Sequence, residues 1–161
     1  MTIASWDNLF IAAAGAGAAL AGLIIVAMSV NVKTILRIPG MTSRAATTIA
    51  VLILMVILAL AGLFPHQTYL QFGVVVTICS VLVLALGVRS LVVMVGDAPA
   101  AKIGAATKGL LGVAPTSIAV AAGILLLVGN ETGLVLLGVS MLISIAASVS
   151  NAWVLLVEIL R

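Results

Sequence analysis

Five long apolar runs constrain what this chain can fold into more than any other feature of its sequence. A helix needs about 20 apolar residues to cross the roughly 30 Å hydrocarbon core of a bilayer. The runs cover positions 9–32, 47–64, 70–95, 112–128 and 134–160. Because unpaired backbone groups are costly in lipid, such runs cross it as α-helices. The sequence therefore predicts an all-α, polytopic membrane protein: a bundle of five transmembrane helices.

The composition excludes a water-soluble fold. Of the 161 residues, 65% are hydrophobic and 7% are charged, and the mean hydropathy is +1.46. An average soluble domain is about 25% charged, so seven Lys/Arg and four Asp/Glu cannot cover a soluble core of this size. Disorder is excluded too, because it requires low hydrophobicity. The breaks between runs are short, so we expect one transmembrane domain over 1–161.

The first and fourth runs need separate comment. No positively charged region precedes the first run, and the run is longer than the apolar core of a signal peptide. We therefore expect an uncleaved first span. The start of the fourth run is blurred by Gly109, Gly112 and Pro115. A weakly amphipathic lead-in at 102–108 is predicted to lie in the membrane interface.

The distribution of charge predicts the orientation. With five spans, all seven basic residues fall on one side of the membrane: Lys33, Arg37, Arg44, Arg89, Lys102, Lys108 and Arg161. The other side carries Asp7, His66 and Glu131. Because short basic loops remain in the cytoplasm, we predict that the N-terminus lies outside and the C-terminus in the cytoplasm.

Small residues form one face of the first span. Gly15 and Gly22 are seven residues apart, and Ala18 and Ala19 lie between them on the same side. Small side chains allow another helix to approach closely, and packing drives helix association in lipid. We therefore predict a helix-packing face at Gly15, Ala18, Ala19 and Gly22. Its partner is either another helix of this chain or a helix in a homo-oligomer.

Polar residues form one face of the fifth span, where Ser140, Ser144, Ser148, Asn151 and Glu158 recur at helical spacing. Because such a face is unfavourable in lipid, it is predicted to face the bundle or a cavity, for interhelical hydrogen bonding or for contact with a ligand. Arg89 either snorkels to the interface or pairs with Glu158 at the same end. The predicted polar cluster contains Asn31, Arg89, Ser144, Ser148, Asn151 and Glu158.

Residues for metal or catalytic chemistry are few. One Cys and one His exclude an internal disulfide and zinc-finger or iron–sulfur spacing. We find no nucleophile motif, no paired intramembrane aspartates and no His-Glu-x-x-His. We therefore expect no enzyme activity, no catalytic residues, and no cofactor or metal site. The chain also lacks a basic stripe or an aromatic platform for nucleic acid.

Two stretches resemble a known family. Residues 6–40, WDNLFIAAAGAGAALAGLIIVAMSVNVKTILRIPG, resemble the opening of small, uncharacterised multi-span bacterial membrane proteins that are frequent in actinobacteria. Residues 151–161, NAWVLLVEILR, resemble that family's ending, where Asp commonly replaces Asn151. Some members carry the label "modulator of the FtsH protease". The resemblance implies a shared architecture in the bacterial cytoplasmic (inner) membrane, with no established catalytic residues.

These features predict a non-enzymatic protein that acts through helix association. It would be an accessory subunit or modulator of a larger membrane complex, or a homo-oligomer. Its expected partners are membrane lipid and other transmembrane helices. The alternative is a small channel, transporter or lipid-binding protein that uses the polar face of the fifth span.

Overall fold

The structure, a computed structural model, describes residues 3–30, 41–96 and 102–160. The side chains at 41, 44, 93–96, 102–112 and 154–160 lie outside that description. The described residues form a short 3-10 helix, Ile3–Trp6, followed by five α-helices and no strand. These are α1 Asp7–Val30, α2 Met41–Gly62, α3 Tyr69–Gly96, α4 Lys102–Leu127 and α5 Thr132–Leu160. The all-α prediction is confirmed for this part of the chain.

Apolar stretches long enough to cross a membrane occur in four of these helices. Within the described residues they are Ile3–Val30, Ala45–Gly62, Tyr69–Val92 and Thr132–Trp153. The described apolar stretch of α4, Val113–Leu127, is shorter. Much of the outer surface is also apolar, with Leu23 64% exposed and Trp153 70% exposed. The chain therefore has the surface of a membrane-embedded helical protein.

Helix α4 begins well before the predicted start at 112, because it continues through the predicted interfacial lead-in to Lys102. Hydropathy locates only the apolar part of a helix, whereas backbone hydrogen bonding extends into polar sequence. Pro115 lies inside this helix, and it has no N–H to bond the carbonyl of residue 111. Thr116 Oγ1 donates to the Val113 carbonyl (2.8 Å). This hydroxyl therefore bonds a carbonyl two residues after the one that Pro115 cannot bond.

The connection from α4 to α5 is fixed by local hydrogen bonds. Gly129 has a φ of 77°, a left-handed conformation that favours glycine at a helix end. Its N–H bonds the Leu126 carbonyl (2.9 Å), and the Asn130 N–H bonds the Leu125 carbonyl (3.0 Å). The Asn130 side chain then accepts from the Thr132 N–H (2.9 Å) at the start of α5. The chain thus reverses direction within a few residues.

A capping box begins α3. The Thr68 N–H donates to Gln71 Oε1 (3.1 Å), and the Gln71 N–H donates to Thr68 Oγ1 (3.3 Å). This reciprocal pair satisfies amides that have no partner within the helix. In the preceding turn, Gln67 Nε2 donates to the Ala61 carbonyl of α2 (2.8 Å). The turn is therefore tied to both helices that it connects.

Helix α2 lies at the centre of the bundle and contacts all four other helices, whereas α1 packs mainly against α2 and α5. The start of α1, loop 63–68 and loop 128–131 lie together at one end, called here the Asp7 end. There, Phe10 and Phe72 meet edge to face with ring centroids 5.8 Å apart. The opposite end, where α2 begins and α3 ends, is called the Arg89 end.

Helices α3 and α4 form the most extensive pair and touch backbone to backbone. A Cβ added at Gly73 would lie 2.8 Å from the Leu127 backbone N and 3.0 Å from the Leu126 carbonyl carbon. A Cβ added at Gly123 would lie 2.9 Å from the Thr77 backbone N. Real Cβ atoms almost never approach this closely, so only glycine allows this crossing.

We predict that Gly73→Ala destabilises the protein by about 1–3 kcal/mol, the usual cost of overpacking, because the helices must separate. Gly87→Ala is the matched control on the same helix. Its added Cβ would meet Val113 Cγ2 at 3.5 Å, an ordinary contact. Thermal unfolding in detergent measures both variants. Equal stability of the two would contradict close backbone packing at Gly73.

Candidate functional site

The polar face of α5 points into the bundle. Four of its five members are buried: Ser140, Ser144, Ser148 and Asn151. Together with Thr48 of α2 and Pro115 of α4, these four residues are called here the polar seam. The spacing of four residues between the serines keeps them on one side of the helix. Three helices therefore meet along one line of hydroxyl, amide and carbonyl groups.

The middle of the polar seam joins α5 to α4. Ser140 Oγ donates to the Pro115 carbonyl (2.7 Å). Ser144 Oγ donates to the Ser140 carbonyl of its own helix (2.8 Å). Of these two bonds, only the first crosses between helices, and it bonds the carbonyl of the proline that interrupts α4.

The Arg89 end of the polar seam joins α5 to α2. Asn151 Nδ2 donates to Thr48 Oγ1 (3.3 Å), and both side chains are buried. The described side chains of the polar seam are hydroxyls and an amide, so its chemistry is hydrogen bonding.

A small cavity borders the polar seam between α2, α4 and α5. Its volume is about 10 Å³, and its polar lining is Thr116, Ser140 and Ser144. A cavity needs roughly 10–15 Å³ to hold one water molecule. The space is therefore at the lower limit for a single water.

The predicted polar cluster is only partly described. Asn31 and the side chain of Glu158 lie outside the described residues, so the pairing of Arg89 with Glu158 remains a prediction. Arg89 is exposed and lines a groove between α2 and α3. The structure thus brings Ser144, Ser148 and Asn151 together on the inner face of α5 and puts Arg89 at a different site.

The groove around Arg89 is called here the hydroxyl groove. Its polar lining is Ser43, Thr47, Arg89 and Ser90, its apolar lining is Ala46, Ala50 and Leu86, and its volume is about 270 Å³. The hydroxyls of Ser43 and Ser90 hydrogen-bond to each other across the two helices. Thr47 Oγ1 donates to the Ser43 carbonyl (2.9 Å).

Sequence reasoning did not select Ser43, Thr48 or Ser90. A signal existed for Thr48, which is a polar residue within an apolar run, like the serines of α5. Ser43 lies before the start of the predicted run at 47, and Ser90 adjoins Arg89, whose charge is the stronger feature. Their pairing depends on how α2 is rotated against α3 and α5, which spacing within one helix does not determine.

The predicted helix-packing face of α1 faces outward. Gly15, Ala18, Ala19 and Gly22 are exposed, and a Cβ added at either glycine would meet no atom of the described part of the chain within 4 Å. The α1 residues that pack inside the bundle include Ala13, Gly17 and Ala21. A Cβ added at Gly17 would lie 2.6 Å from Met55 Cε. Association through the predicted face therefore remains a prediction about contacts beyond this chain.

Comparisons of the chain with protein-family models, with curated proteins and with solved structures gave no match. Within the described residues, no three His, Cys, Asp or Glu side chains are grouped so that they could hold a metal ion.

We predict that Ser140→Ala lowers stability by about 1 kcal/mol, within the range measured for interhelical hydrogen bonds in membranes, because the Pro115 carbonyl loses a donor. Ser144→Ala is the matched control: it is equally buried, but its hydrogen bond stays within α5. Unfolding in detergent compares the two. If Ser144→Ala loses as much stability as Ser140→Ala, the hydrogen bond between α4 and α5 stabilises the protein no more than one within α5.

Proposed function

We propose that this chain is a non-enzymatic integral membrane protein that acts through helix association. It serves as an accessory subunit or modulator of a larger membrane complex, or it forms a homo-oligomer. The observation that carries the proposal is the outward face of α1. Gly15, Ala18, Ala19 and Gly22 are exposed there.

Helix α1 carries small residues on two sides. Adjacent residues of an α-helix are 100° apart, so Gly15 lies about 200° from Gly17 around the axis. The Gly17 side packs against α2. The small residues on that side are therefore explained by packing within the bundle. Among the described residues, the Gly15 side makes no such contact. Small residues at a lipid-facing surface suit the close approach of a further helix.

The polar seam supports the same proposal. Ser140, Ser144 and Asn151 hydrogen-bond to the chain's own groups. Interhelical hydrogen bonds hold membrane helices together, so this polar face has a use in packing without any ligand.

The alternative function, a small channel, transporter or lipid-binding protein that uses the polar face of α5, rests on the cavity beside Thr116 and Ser140. At about 10 Å³, that cavity is much smaller than the several hundred Å³ of common ligand sites. The helices would have to open before this face formed a path. Ion or solute flux into liposomes that contain the purified protein, abolished by Ser140→Leu, would favour the alternative.

We further propose that α4 completes a five-span topology in the bacterial cytoplasmic membrane. Its 26 residues give a helix of about 39 Å at 1.5 Å per residue, longer than the hydrocarbon core. Five spans bring the seven basic residues to one side, which the positive-inside rule assigns to the cytoplasm.

We predict that a reporter fused after Arg161 is active in the form that requires the cytoplasm and inactive in the form that requires the periplasm. The reason is that basic loops resist translocation. A fusion before Met1 should give the opposite result. A periplasmic signal after Arg161 would mean that α4 does not span the membrane or that the orientation is reversed.

We predict that Gly22→Leu lowers oligomer formation or co-purification of a partner, because a larger side chain separates closely packed helices. The monomer should keep its stability, since a Cβ added at Gly22 meets no atom of the described residues within 4 Å. Ala146→Leu is the control, because it adds bulk at an exposed position of α5. Light scattering and affinity purification in mild detergent make the measurement.

The outcome against association through α1 would be unchanged oligomeric state and unchanged partners in Gly22→Leu. The exposed small residues would then contact only lipid.

A further inference from the structure

We propose that the hydroxyl groove binds the headgroup and upper acyl chain of an anionic phospholipid. The inference is independent of helix association, because the groove lies between α2 and α3 while the association face lies on α1. It follows from the charge, the depth and the shape of the groove.

Charge is the first argument. Arg89 is the cationic member of the described lining and is exposed. Its side chain makes no ion pair with the acidic side chains of the described residues. A guanidinium presents a planar set of donors that matches the oxygens of a phosphate in bidentate fashion. A lipid phosphate would therefore supply the anion that Arg89 suits.

The hydroxyls beside Arg89 add a donor. Ser43 and Ser90 bond each other, and in such a pair one hydroxyl donates while the other keeps a free hydrogen. That hydrogen is available to a headgroup oxygen. Ser43 also lies in the first turn of α2, which begins at Met41, where backbone N–H groups and the helix dipole favour an anion.

Depth is the second argument. In the sequence the second apolar run begins at 47 and the third ends at 95. Ser43 lies four residues before the first limit, and Arg89 lies six residues inside the second, about 9 Å along the helix at 1.5 Å per residue. The groove therefore spans the boundary between hydrocarbon and headgroups. The long Arg side chain can extend its charge from there to the phosphates.

Shape is the third argument, and it favours a lipid over a free phosphate ion. Ala46, Ala50 and Leu86 form the apolar wall of the groove, and Leu86 is 57% exposed. The volume of about 270 Å³ exceeds what one phosphate needs. An acyl chain can lie along this wall while its headgroup stays at Arg89.

The test uses the full chain, purified in detergent and titrated with phosphatidylglycerol, phosphatidylcholine or inorganic phosphate. Native mass spectrometry counts the bound lipid. The wild type should retain phosphatidylglycerol in preference to phosphatidylcholine, and inorganic phosphate should not displace it. Arg89→Gln should weaken phosphatidylglycerol binding roughly tenfold, the usual effect of losing a charge-assisted hydrogen bond. Arg89→Lys should bind phosphatidylglycerol more weakly than the wild type and more tightly than Arg89→Gln, because the charge remains without the bidentate geometry.

A second pair of variants leaves the charge unchanged. Ala46→Leu fills the groove and should weaken phosphatidylglycerol binding. Ala85→Leu, at an exposed position of α3 outside the described groove lining, should not. Circular dichroism checks that each variant is folded, and if Arg89→Gln is not, Arg89→Lys and Ala46→Leu decide the question.

Three results would overturn the proposal. The first is equal binding of the two lipids by the wild type. The second is unchanged phosphatidylglycerol affinity in the folded Arg89 and Ala46 variants. The third is full displacement of the lipid by inorganic phosphate, which would indicate an ion site without a lipid.

Discussion

Close contact between helix backbones is the interaction on which the rest of this bundle depends. In lipid, the hydrophobic effect contributes little to helix association, so van der Waals packing must hold the helices together. Glycine supplies that packing where α3 crosses α4, because a Cβ added at Gly73 or Gly123 would meet backbone atoms of the other helix. A side chain larger than hydrogen at either position would force α3 and α4 apart. Where α1 crosses α2, Gly17 instead leaves room for the side-chain ends of Met55 and Val56.

The fold class could be predicted from the sequence because it depends on hydropathy alone. A continuous run of about 20 apolar residues crosses lipid with its backbone satisfied as a helix, so run length predicts where the helices lie. The first residues of the helices were predicted less well. Helix α2 begins at Met41 and α4 at Lys102, because helical hydrogen bonding continues into polar sequence at the membrane surface, where hydropathy gives no signal.

The rotation of each helix was the part that sequence could not supply. The polar side of α5 has to avoid lipid, so its inward orientation follows from solvation. No such preference distinguishes the two small-residue sides of α1, because glycine and alanine are tolerated both inside a bundle and against lipid. Spacing therefore identified Gly15 and Gly22 as a face, while Gly17 makes the contact with α2. Only the shapes of neighbouring side chains, such as Met55 and Val56, decide which side is buried.

The two ends of the bundle are held by different interactions, and this difference bears on where the protein can adapt. At the Asp7 end, Phe10 packs against Phe72 and against Gly62, and these contacts have one close-packed arrangement. Towards the Arg89 end, Ser43 bonds Ser90 and Asn151 bonds Thr48. A hydroxyl or amide can exchange its partner for a water or a headgroup oxygen at similar energy, whereas a glycine contact has no substitute partner. Small separations of α2 from α3 and α5 therefore cost less towards the Arg89 end, where the hydroxyl groove already lies open between α2 and α3.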